Sequence, residues 1–117
     1  MPTNLKEAER EILLSFWKVH ILHHAGENPV HGQWILNELR EHGYEISPGT
    51  LYPLLKRMER HGWLQSQSAP GGGARARRDY TLTVRGRALL ALVREQICEL
   101  YREVVVEADS GKKKGGS

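Results

Sequence analysis

Residues 47–61 read SPGTLYPLLKRMERH. Serine before proline is a helix entrance. A serine hydroxyl can cap free backbone N–H groups, and proline at the first helical position gives up a donor that has no partner there. Leu51, Leu54, Leu55 and Met58 follow at i, i+3, i+4 and i+7, so they share one apolar stripe. At about 100° per residue, Gly49, Pro53, Lys56, Arg57 and Arg60 fall on the opposite side. Pro53 removes one helical hydrogen bond and is expected to distort the first turn or two. A helix that buries one face and shows cations on the other suits the major groove of a duplex.

Outward from this helix, the chain repeats its own punctuation. HGY (42–44) ends the preceding helix and HGW (61–63) ends this one. In each, glycine takes the left-handed position and an aromatic folds back on the last turn. The preceding helix is expected over residues 30–42, with Pro29 at its entrance, Ile35, Leu36 and Leu39 inward and Trp34 beside them. Residues 63–67 and 78–83 alternate as strands do. Between them PGGGARA (70–76) reads as a flexible loop, with RARR (75–78) at its far end. Helix, turn, helix, strand, basic loop, strand is the order of a winged helix-turn-helix. The fold class is therefore mainly α with a small β-hairpin wing and a long C-terminal helix.

The first helix is expected over residues 4–24. Leu5, Ile12, Phe16 and Val19 form one stripe, and Leu13, Trp17 and Ile21 widen the apolar arc beyond what one packing surface needs. The last helix starts behind the cap Thr83 and runs to about residue 108. On it Leu90, Val93, Ile97, Leu100 and Val104 recur at spacings of 3, 4, 3 and 4, a heptad seam with nothing after it in the chain to cover it. A second copy of the chain is the expected cover. The organisation is a DNA-binding unit over 1–83, a dimerisation helix over 84–108 and a polar tail over 109–117 expected to be disordered.

Charge is modest in total and uneven in place. The 117 residues carry a formal net +3, with 39% apolar and 26% charged residues. Residues 56–87 hold eight cations against two acids, a local +6, whereas residues 1–55 are net −3. One basic segment in an otherwise neutral or acidic chain marks a polyanion binder. The absence of an apolar run of about 18 residues excludes a membrane span, and the polar N-terminus is no signal peptide. A single cysteine, Cys98, excludes an intrachain disulfide. The expected location is cytoplasmic.

The residues expected to meet double-stranded DNA are Ser47, Thr50, Tyr52, Pro53, Lys56, Arg57 and Arg60 on the helix, with Arg75, Arg77 and Arg78 on the wing. Hydroxyls and amides at a helix start take phosphates, and Lys or Arg reaches phosphates or guanine edges. Catalysis is not expected. No hydroxyl has a local base and orienter, and the glycines at 71–73 lack the GK[ST] of a phosphate-binding loop.

Taken together, VHGQWILNELREHGYEISPGTLYPLLKRMERHGWL and ARARRDYTLTVRGRALL resemble the PadR family of bacterial transcriptional regulators. The likeness spans roughly residues 10–95. It rests on His31 and Gly32, on the core from Ser47 to Glu59 with Met58 at a leucine position, and on Tyr80, Leu82, Thr83, Gly86 and Arg87. It implies a winged-helix homodimer joined through the C-terminal helix, often with help from helix 1, that represses a detoxification, efflux or phenolic-acid gene. A single helix after the wing is similar to the short subfamily.

Two effector sites are candidates. Phe16, Trp17 and Tyr101 can line an apolar cavity between subunits, where certain short relatives hold planar aromatic compounds. His20 and His24, at i and i+4, can share one divalent metal, with His31 nearby after the turn. No cofactor is required in either case. Ordinary core packing is the alternative for both clusters. The competing functional class is a winged helix that binds an acidic protein instead of DNA.

Overall fold

The computed structural model describes residues 4–68 and 77–109. Helix α1 (Leu5–Glu27) starts at Asn4, whose side chain accepts from the Lys6 N–H at 2.7 Å. It runs three residues beyond the expected end, so Ala25, Gly26 and Glu27 are helical rather than part of a turn. Its core face is Trp17, Ile21, Leu22 and Ala25. The stripe of Leu5, Ile12 and Phe16 is exposed. The wide apolar arc thus divides into one face used within the protomer and one left over.

Val30 and His31 form a short strand, β1, not the start of a helix. Pro29 favours extended backbone before it. Val30 pairs with Tyr80 and His31 with Asp79. Helix α2 (Gly32–Glu41) begins two residues later than expected, with His31 as its cap: the Trp34 N–H donates to His31 Nδ1 at 3.2 Å. Ile35, Leu36 and Leu39 are buried as expected, while Trp34 is partly exposed.

Helix α3 (Pro48–Arg60) is continuous through Pro53. Ser47 caps it by accepting from the Thr50 N–H. Leu51, Leu54, Leu55 and Met58 are fully buried at the centre of the core. Both glycine stops hold left-handed backbone, with φ of 93° at Gly43 and 83° at Gly62. After each, the aromatic N–H reaches back to a helix carbonyl: Tyr44 to Leu39 and Trp63 to Met58, both at 3.1 Å. These bonds satisfy carbonyls that a helix end leaves open.

Strands β2 (Leu64–Ser68) and β3 (Arg78–Leu82) pair antiparallel, with Leu64 opposite Leu82 and Ser68 opposite Arg78. With β1 on the other side, the order is β1-β3-β2. The wing is therefore a three-stranded sheet, one strand more than the hairpin the sequence predicts. Residues 69–76, which include the glycine loop and Arg75, lie outside the described residues, as do residues 110–117 of the tail.

Thr83 ties the wing to the last helix. Its hydroxyl accepts from the Gly86 N–H at 2.9 Å and donates to the carbonyls of Gly62 and Trp63. Helix α4 (Val84–Tyr101) packs its first turns on α1 and β3, then continues through π-helical turns over Arg102–Glu107. Asp109, assigned from sequence to the tail, is still helical. Beyond Leu90, α4 contributes no further residue to the core.

Candidate nucleic-acid interface

The wing flank of α3 carries the cationic site. Lys56 and Tyr52 of α3, Gln33 at the start of α2, and Arg77 and Arg78 of the wing line one groove of about 480 Å³. Its floor is built by a close approach. A Cβ on Gly32 would overlap the Tyr52 ring, so glycine there lets α2 begin directly against α3. Tyr80 lies beneath, buried, and burial raises the pKa of its phenol above the ordinary tyrosine value, with the Glu59 carboxylate adding to the shift.

Arg78 is held rather than free. Its guanidinium donates to Ser66 Oγ at 3.1 Å, and the Ser66 hydroxyl donates to Glu59 Oε2 at 2.7 Å. This chain links β3 through β2 to α3. Glu59, the acid among the cations of the helix, is thus a positioning residue. Arg77 pairs with Asp79 at 3.2 Å, and both side chains are exposed enough for a phosphate to compete.

The other flank of α3 differs. Thr50, Pro53 and Arg57 face α1, where Arg10, Glu7 and Glu11 line the opposite wall. The Arg10 guanidinium donates to Thr50 Oγ1 at 2.9 Å. Lys56 and Arg57, neighbours in sequence, therefore serve different walls: Lys56 joins the wing arginines and Arg57 does not. Ser47 is exposed as the helix cap, and Arg60 is exposed near the far end of α3.

A second, apolar groove of about 760 Å³ runs between α1 and α4. Phe16, Ile97, Leu100, Tyr101 and Val104 line it, and all five are substantially exposed. Of the expected seam, Val93 is half-buried. Leu90 is only 4% exposed and belongs to the protomer's own core, although it reaches the groove. Val105 also enters the groove, because the π-turns rotate side chains away from heptad positions. Trp17 does not join Phe16 and Tyr101. It is buried in the core edge-on to Tyr44, so its place in an aromatic pocket is overturned. Adjacency in sequence misled here, since residues 16 and 17 point about 100° apart on a helix.

The histidines gather elsewhere than expected. His20 and His24 are joined by His42, from the end of α2, while His31 lies in the wing groove. The rings of His20 and His42 stack with centroids 4.9 Å apart. Burial lowers the pKa of His20, with repulsion from His42 and the other imidazoles adding to it. Burial, then His23, does the same at His24, and Glu38 opposes the shift at both. The sequence signal that identifies His42 is the HGY stop, which places a histidine at the α2 cap. Its spatial partners are 18 to 22 residues away, and only the packing of α1 on α2 brings them together.

Comparison with known proteins identifies the family. Residues 21–92 match the profile of the Transcriptional regulator PadR-like family. The chain is 50% identical over 96 residues to a protein of Mycobacterium tuberculosis, Transcriptional regulator Rv3488, covering 82% of this chain and 89% of that one. A PadR-like transcription factor from Bacteroides fragilis shares the fold with a TM-score of 0.67 at 26% identity, over 87% of this chain and 96% of that one. A PadR family regulator from Eggerthella lenta gives 0.67 at 29% identity, over 86% and 91%. Among the described residues no helix is long and apolar enough to cross a membrane. These names indicate a regulator and not an enzyme. With its winged helix and clustered cations, the chain belongs to the PadR-like family of DNA-binding transcriptional regulators.

Proposed function

We propose that the chain is a cytoplasmic homodimeric repressor of a detoxification, efflux or stress gene. The observation that carries its operator binding is the convergence of Lys56 with Arg77 and Arg78 on one groove. Charge from a helix and from a wing, arriving on one surface, matches a duplex that offers a major groove beside a phosphate backbone. A two-fold axis would set two α3 helices about one helical turn of DNA apart, near 34 Å. Dimerisation is supported by the exposed apolar wall of α1 and α4, since a soluble monomer rarely shows a contiguous patch of this kind. The family likeness supports repression as the direction of control. An aromatic effector would sit between Phe16 and Tyr101, and one that prefers a particular helix separation would shift the dimer's populations.

Fluorescence anisotropy against a palindromic duplex from upstream of its own gene tests the reading. Lys56→Ala removes one interaction of about 1 kcal/mol per protomer. Across a dimer that is roughly a thirtyfold loss of operator affinity. Lys56 is exposed and outside the core, so the thermal melt stays unchanged. Normal binding by Lys56→Ala contradicts its assignment. Wild-type binding that ignores both sequence and salt contradicts the function, and leaves an acidic protein as the partner.

A further inference from the structure

We propose that His20, His24 and His42 form a binding site for a divalent d-block cation of the Zn²⁺ type, which ties α1 to the end of α2. One ligand nitrogen from each residue lies within 4.8 Å of the others. A tetrahedral zinc with bonds near 2.0–2.1 Å needs nitrogens about 3.4 Å apart, so the rings must close by no more than about 1.4 Å. His42 is half-exposed at the α2 cap and has room to make that adjustment.

Three further observations point to a cation. His24 Nε2 is buried and has no hydrogen-bond partner; the nearest acid, Glu38, is 3.6 Å away, an ion-pair distance but not a hydrogen bond. A buried nitrogen left open is costly, and a metal would satisfy it. Glu38 lies 3.1 Å from His42, so one carboxylate borders two of the three imidazoles and supplies the negative charge a cation needs. The Tyr44 hydroxyl bonds His20 Nε2 at 3.3 Å, the kind of outer contact that sets the tautomer and orientation of a ligating imidazole.

A rival trio, His23, His24 and Glu27, shares His24. It is the weaker site. The Arg94 guanidinium sits 3.3 Å from His23 Nδ1 and puts a positive charge beside the place a cation would occupy. Nitrogen ligands with a single bordering carboxylate favour zinc-like ions over Mg²⁺ or Ca²⁺, which prefer oxygen.

His20 also lines the apolar groove, so a bound ion would stand at the junction of the dimerisation face and the helix-turn-helix. A link to regulation rests on the proposed function, whereas the site does not. The test is a Zn²⁺ titration of the full chain against a chromophoric chelator near pH 7.5, without DNA. The wild type takes up one equivalent per protomer and melts at a higher temperature with zinc. His42→Gln and His20→Gln each weaken Zn²⁺ at least tenfold and lose that shift, while His23→Gln stays within twofold. His42 is exposed enough for His42→Gln to fold, which a zinc-free melt verifies. No competitive uptake by the wild type overturns the site. So does tight uptake by His42→Gln, or a loss confined to His23→Gln. Zinc uptake with no operator binding supports the site and overturns the proposed function.

Discussion

Ile97→Asp is expected to leave the chain monomeric in sedimentation velocity, where the proposed dimer would otherwise be seen, and to lower operator affinity by at least a hundredfold. Ile97 stands in the apolar wall between α1 and α4, with Phe16, Leu100 and Tyr101 around it. It is 43% exposed and outside the protomer's core, so a carboxylate there meets water in the isolated chain. In a dimer the same carboxylate would be buried without a counter-ion, at a cost of about 3–5 kcal/mol, and the symmetry imposes it twice. A micromolar dimer holds together with only about 8 kcal/mol. DNA binding falls with it, because linking two reading heads raises affinity by about 10²–10⁴ over one alone. The thermal melt of the protomer should hardly move. An intact Ile97→Asp dimer would place the interface elsewhere on the molecule.

Gly86→Ala is expected to destabilise the protomer by about 3 kcal/mol or to prevent folding. Gly86 lies in the first turn of α4, against the end of α3 and the wing. A Cβ at this position would run into the carbonyl oxygen of Trp63 and come within 2.6 Å of Leu82 Cδ1. The leucine can rotate, but the carbonyl has no freedom to give. It accepts from both the N–H and the hydroxyl of Thr83, each at 3.1 Å. Overpacking typically costs about 1–3 kcal/mol, and an obstacle made of hydrogen-bonded backbone belongs at the upper end. Domains of this size hold about 5–15 kcal/mol in all. Urea unfolding of Gly86→Ala beside the wild type measures the loss, and a midpoint within error of the wild type would refute the close packing of α4 on Trp63.

What could be read in the sequence depended on the range of the interaction. The α3 stripe, the Ser47 cap and the Gly43 and Gly62 stops are set within a few residues, and each appears where the chain implies it. β1 was illegible because two residues have no period, and their partners Tyr80 and Asp79 are about 50 positions away. The same limit hid the partition of cations around α3. Helical projection puts Lys56 and Arg57 on one broad face, but the wing closes on one edge and Glu7 and Glu11 of α1 approach the other. Glu59 reads as an ordinary surface acid until Ser66 and Arg78 are placed beside it. Likewise the apolar arc of α1 is visible in the sequence, but only the packing shows that Trp17 serves the core while Phe16 faces outward.

The most direct measurement is the salt dependence of operator binding for the wild type and for the Lys56→Ala, Arg77→Ala double variant. Each phosphate-neutralising cation removed from a protomer flattens the slope of log K against log salt by about 0.9, and a dimer carries every such change twice. If Lys56 and Arg77 hold one duplex, in two symmetry-related copies, the double variant binds more weakly and its slope is shallower by roughly two to four. A double variant with the wild-type affinity and the wild-type slope would show that DNA never meets this groove.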